Sequence, residues 1–163
     1  MFQRHYWKQI AHKKGINMIR IVINKCFGGF GISAEALYEL IKMKSKCVKK
    51  IPAKEYYGGK DGDWEARYKK DLGTRCKEFK NGFLIYDLIN ILYKKDNVYC
   101  LKDEFEDSVR SDPDLVAVVE KLKEKANGIC AKLEIVEVPD GVDFSIEEYD
   151  GMEHIAEKHR TWG

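Results

Sequence analysis

The chain has 163 residues, 44% of them hydrophobic and 34% charged, with a formal net charge of +2. That length suits one domain with its own core, and no apolar run approaches the ~18 residues of a membrane-crossing helix. The five cysteines (Cys26, Cys47, Cys76, Cys100, Cys130) are odd in number and never in CxxC spacing, which argues against a disulfide framework or a zinc site and for a reducing compartment.

Residues 1–17 read as a basic arm, with Arg4, Lys8, Lys13 and Lys14 and no acid. Phe2, Tyr6 and Ile10 lie four apart, as a short amphipathic helix requires. No apolar stretch of the secretory-signal type is present. The remainder, residues 18–163, is expected to form a single α+β ligand-binding domain that is slightly acidic. With no basic stripe expected outside the arm, duplex nucleic acid is not an expected partner.

From Met18 the pattern turns to strand: Ile19, Ile21 and Ile23 alternate with Arg20, Val22 and Asn24. Cys26-Phe27-Gly28-Gly29-Phe30-Gly31 follows, and its glycines permit positive φ and close approach to the backbone. Ser33 then serves as N-cap, Glu35 lies in the first turn, and Leu37, Leu40 and Ile41 share one helical face. Strand, glycine turn and helix start make an anion site, for which phosphate is the usual guest. The loop is neither a Walker loop nor GxGxxG, and alone it favours a simple steric turn. Phe27 and Phe30 suit either a nucleotide base or the core.

Cys47-Val48 reads as a short strand interrupted by Pro52. Residues 53–73 read as a long excursion carrying Tyr56, Tyr57, Trp64 and Arg67, with Arg75 just beyond; loops this long are often functional. Phe83–Tyr86, Asn90–Tyr93 and Val98–Leu101 read as strands. Asp103, Glu104, Glu106 and Asp107 form an acidic run, read as a solvated loop. Arg110 is expected in a loop just before a helix capped by Asp112 with Pro113 at N1. That helix turns Leu115, Val118, Val119 and Leu122 inward and stops at Asn127-Gly128. Arg110 and the helix N–H groups could grip one anion together, or Arg110 could pair with the acids upstream. If it is a loop residue, Arg110→Ala should abolish ligand retention without unfolding the protein. Lys132–Val138, Val142–Tyr149 and Met152–His159 read as strands, with a hairpin turn at Asp150-Gly151. The expected fold is therefore α+β, mostly antiparallel sheet with hairpins plus two main α-helices.

Catalytic machinery is not recognisable. There is no Gly-x-Ser-x-Gly, and His154 and His159 are five residues apart, a spacing that chelates on neither strand nor helix. Cys26 is the one conceivable nucleophile, and it has no identifiable His partner. The sequence is read as a binding protein with no metal or cofactor. A nucleotide-degrading enzyme and an inhibitor that binds a host protein are the alternatives.

Three blocks, INKCFGGFGIS, RSDPDLVAVVEKLKEKANG and IEEYDGMEHIAEKHRTW, span about half the chain and resemble the first-described phage Thoeris anti-defence family. The resemblance implies a non-catalytic sponge that binds cyclic ADP-ribose isomers and leaves them intact. It implies a homo-oligomer, a dimer or higher, in the host cell cytoplasm, with pockets between protomers. Some members also hold cyclic oligonucleotides at separate sites. It places Phe83 as adenine stacker and Arg110 as pyrophosphate partner. Gly28, Gly29, Phe30, Arg160 and Trp162 complete the expected ligand-binding set, as donors and aromatic faces inferred from the residues themselves. Residues 1–17 and the 53–80 excursion depart from the family pattern.

Overall fold

The computed structural model describes residues 17–52, 54–55, 97–102 and 106–158. The arm, most of the excursion, the expected strands Phe83–Tyr86 and Asn90–Tyr93, and Phe83, Arg160 and Trp162 lie outside the described residues. So do His159 and the first acids of the acidic run.

Among the described residues the fold is α+β with antiparallel strand pairs. Strand β1 (Met18–Asn24) leads through the glycine turn to helix α1 (Ala34–Lys42), then to β2 (Val48–Pro52). Strand β3 (Asn97–Leu101) pairs with β2. A single helical turn, α2 (Asp107–Arg110), precedes α3 (Pro113–Leu122) and a 3-10 turn over Lys123–Ala126. Strand β4 (Leu133–Pro139) runs back along β1, and β5 (Phe144–Tyr149) and β6 (Met152–Glu157) form a hairpin. Pro52 ends β2 opposite Asn97 rather than breaking it, a position at a strand end where a missing N–H costs little.

The β1–β4 ribbon is the middle of three layers. Val22 and Ile135 face a core built with Leu40, Leu115, Val118 and Val119 from the helices. Ile21, Ile23 and Val138 face the other way, against Phe144, Ile146 and Ile155 of the hairpin. Burial on both faces explains why β1 is a near-continuous β-branched run rather than a clean apolar–polar alternation. The helix caps are those the sequence predicts. The Ser33 side chain accepts from the Ala36 N–H, and Asp112 accepts from the Asp114 and Leu115 N–H groups.

Two turns need unusual backbone. Asp150 and Gly151 both have positive φ, 50° and 83°, the geometry of a two-residue type I′ hairpin turn. Gly29, at φ 80°, lets the glycine turn reverse direction without a Cβ penalty.

Candidate functional site

The glycine turn between β1 and α1 meets two other loops at one end of the ribbon. A Cβ on Gly28 would collide with the Cys130 carbonyl oxygen and Cβ, and one on Gly151 would collide with the Gly29 N–H. Gly128 likewise abuts the Gly31 backbone, and its N–H donates to Gly31 O at 2.9 Å. These close approaches are made by the protein itself. The steric reading of the glycines is therefore satisfied at Gly28, Gly128 and Gly151, without any ligand.

Asn24 ties the three loops together. It is fully buried at the end of β1. Its Nδ2 donates to Cys26 O at 2.7 Å and to Gly151 O at 2.6 Å, and its Oδ1 accepts from the Lys132 N–H at 2.8 Å. One amide thus holds the glycine turn, the hairpin tip and the start of β4.

Arg110 is where the structure corrects the sequence reading. It lies not in a loop but at the end of the helical turn α2, and is 1% exposed. Its guanidinium grips Glu153 of β6 through both nitrogens, Nη2 to Oε1 at 2.5 Å and Nη1 to Oε2 at 3.2 Å. Nη1 also donates to Val22 O at 3.2 Å, and Glu153 Oε2 accepts from the Asn24 N–H at 2.7 Å. Residues two apart on a strand present their backbone groups to the same edge. The ion pair therefore bonds the edge of β1 that β4 leaves open, taking the place of a third strand. The Phe30 ring packs over the guanidinium, 3.2 Å from its centroid. Aromatic packing and a bidentate carboxylate are both features that favour Arg over Lys at such a position.

The structure thus brings Gly28, Gly29, Phe30 and Arg110 together, although Arg110 is about eighty residues away in sequence. It brings them together as one knot with Asn24 and Glu153, two residues the sequence reading missed. Glu153 shares a hairpin face with Ile155, since Glu148 and Glu153 pair directly and Ile146 pairs with Ile155. An acid on an inward-facing strand position was the available signal.

The helix starts are less open to an anion than the sequence suggests. At α3 the Asp112 carboxylate already occupies two of the free N–H groups. At α1 the Ser33 hydroxyl takes one, while itself donating to Lys125 O at 2.6 Å. Ala34 and Glu35 keep free N–H groups at the α1 start, and in the turn the N–H groups of Phe30 and Gly31 likewise make no hydrogen bond among the described residues. Around the turn the three loops each carry an exposed apolar side chain, Phe27 (64%), Ile129 (82%) and Tyr149 (77%).

Basic charge is also more clustered than the sequence reading allowed. Lys42, Lys44, Lys46, Lys49 and Lys50 are all exposed where α1 passes into β2. Among the described residues no three His, Cys, Asp or Glu side chains are placed to hold a metal ion, and no helix is long and apolar enough to cross a membrane. Compared with family models, with curated proteins and with solved structures, the chain matches none.

Proposed function

We propose that this chain is a sponge for cyclic ADP-ribose-type signalling nucleotides. It binds glycocyclic ADP-ribose without cleaving it and so blocks Thoeris immunity, as the three family-like sequence blocks imply. One structural observation carries the reading: the adjacent N–H groups of Phe30 and Gly31 make no hydrogen bond among the described residues, in a turn whose shape is fixed from beneath. A turn held by Asn24 and the Arg110–Glu153 pair is preorganised, so a phosphate meeting those N–H groups requires no loop ordering. Phe27 and Tyr149 beside it offer faces on which a base can stack.

Arg110 enters this reading in a new role. Its charge is neutralised by Glu153, and it supports the turn through Phe30 rather than presenting an open guanidinium. Phe83, Arg160 and Trp162 remain proposed contacts, and the assembly is proposed to be a homo-oligomer working in the host cytoplasm. The test is to expose the full chain to a panel of cyclic nucleotides, desalt it, and analyse by mass spectrometry what heating releases. Intact cyclic ADP-ribose isomer supports the sponge. A cleaved product, on the protein or in the flow-through, indicates an enzyme, and no retained nucleotide refutes the sponge.

A second reading is favoured by the apolar rim of Phe27, Ile129 and Tyr149. Exposed apolar clusters often mark protein contacts, and here they would fit an inhibitor that binds a host protein. A stoichiometric host partner captured with no small molecule would select that reading.

A further inference from the structure

Cys26 and Cys130 are distant in sequence and touch in the fold. The Cys26 thiol donates to the Cys130 carbonyl oxygen at 2.9 Å across a separation of 104 residues. The position a Gly28 Cβ would take is blocked by Cys130's own carbonyl and Cβ, so the two backbone segments are in direct contact. Cys130 is exposed and Cys26 half-buried. Cys47, by contrast, is 3% exposed, and burial pushes its thiol pKa up.

We propose that Cys26 and Cys130 form a redox-active pair that a peroxide closes to an intramolecular disulfide. A disulfide needs Cα atoms about 5.5 Å apart, a spacing that backbone contact brings within reach of a rotation of the exposed Cys130 side chain. The chemistry balances in two steps. The Cys130 thiolate attacks one peroxide oxygen, the O–O bond breaks, and hydroxide leaves, giving a sulfenic acid. The Cys26 sulfur then attacks the Cys130 sulfur, the S–O bond breaks, and the hydroxyl takes the Cys26 proton and departs as water. The two thiols lose two electrons, and the peroxide is reduced to water. The new bond fastens the glycine turn to the loop of Gly128–Ala131 and is reversed by a small thiol in a reducing compartment.

The pair stands independently of the proposed nucleotide ligand. The full chain is treated with hydrogen peroxide under native conditions, remaining thiols are alkylated, and the digest is mapped by mass spectrometry. The expected result is a monomer about 2 Da lighter containing a Cys26–Cys130 linked peptide, with Cys47 alkylated only after unfolding. Closing so long a loop should raise the thermal midpoint by roughly 5–10 °C, and this rise should be absent in Cys26→Ser and Cys130→Ser. Links between other cysteines, a covalent dimer, or separate sulfinic acids on Cys26 and Cys130 would overturn the proposal. The linked peptide in the parent chain decides the matter even if a variant folds poorly.

Discussion

Arg110 and Glu153 carry opposite charges into a space from which water is excluded, and each is tolerable there because of the other. Removing one partner leaves the other buried and uncompensated, which typically costs about 3–5 kcal/mol. Arg110→Ala is therefore expected to lower the urea unfolding free energy by about that amount, the reverse of what a loop position would give. Replacing both partners with apolar residues, Arg110→Met with Glu153→Leu, removes the stranded charge but leaves Val22 O and the Asn24 N–H without partners, so it should recover only part of the loss. A single variant as stable as the parent would show that the pair is not buried in solution. Phe27 sits at the other extreme. It is mostly exposed, so Phe27→Ala should change stability by less than about 0.5 kcal/mol. Under the sponge reading it should also weaken nucleotide retention, measured by the same desalting experiment. Unchanged retention would remove Phe27 from the site.

The elements are held by short-range chemistry at their ends. Ser33 and Asp112 each satisfy helix N–H groups, and Ser33→Ala or Asp112→Ala should each cost about 1 kcal/mol in chemical denaturation. The hairpin tip is more demanding. A side chain on Gly151 would have to adopt a φ of 83° and would also strike the glycine turn, so Gly151→Ala should destabilise by about 1–3 kcal/mol. The same variant should loosen the glycine turn, seen as faster exchange of the Gly128 amide that donates to Gly31 O. Unaltered exchange there would mean that the hairpin tip does not brace the turn. The caps, the Asp-Gly hairpin and the helical faces were legible because each depends on neighbours within four residues. The Arg110 position was not, because its partner is 43 residues further along and on an element whose orientation only packing defines.

Across the whole molecule, α3 is linked to its neighbours by surface charge. Lys121 reaches Glu39 of α1 at 2.6 Å, and Glu120 meets Arg20 of β1 at 2.6 Å. The Lys121 hydrogen bond holds the Glu39 carboxyl below its ordinary range, and the Arg20 hydrogen bond does the same for Glu120. A carboxyl whose folded pKa is lowered contributes stability above its unfolded pKa and loses it as pH falls through the folded value. The urea midpoint should therefore decline as pH drops below the ordinary carboxylate value of 4.5. The Glu39–Lys121 share is expected to be a few tenths of a kcal/mol and to shrink in high salt. A midpoint independent of pH through that window would show that these links contribute nothing.

The sequence by itself determined the local grammar: which residues extend, which cap, where the chain must turn, and that the described strands pair antiparallel. Those features follow from backbone sterics and side-chain periodicity, which act over a few residues. Tertiary structure alone decided what the glycines and the arginine are for. Gly28 and Gly151 admit neighbouring backbone, and Arg110 bonds an otherwise open strand edge through Glu153. Both depend on which distant segments meet, and burial converts a charge that looks available in the sequence into one already committed.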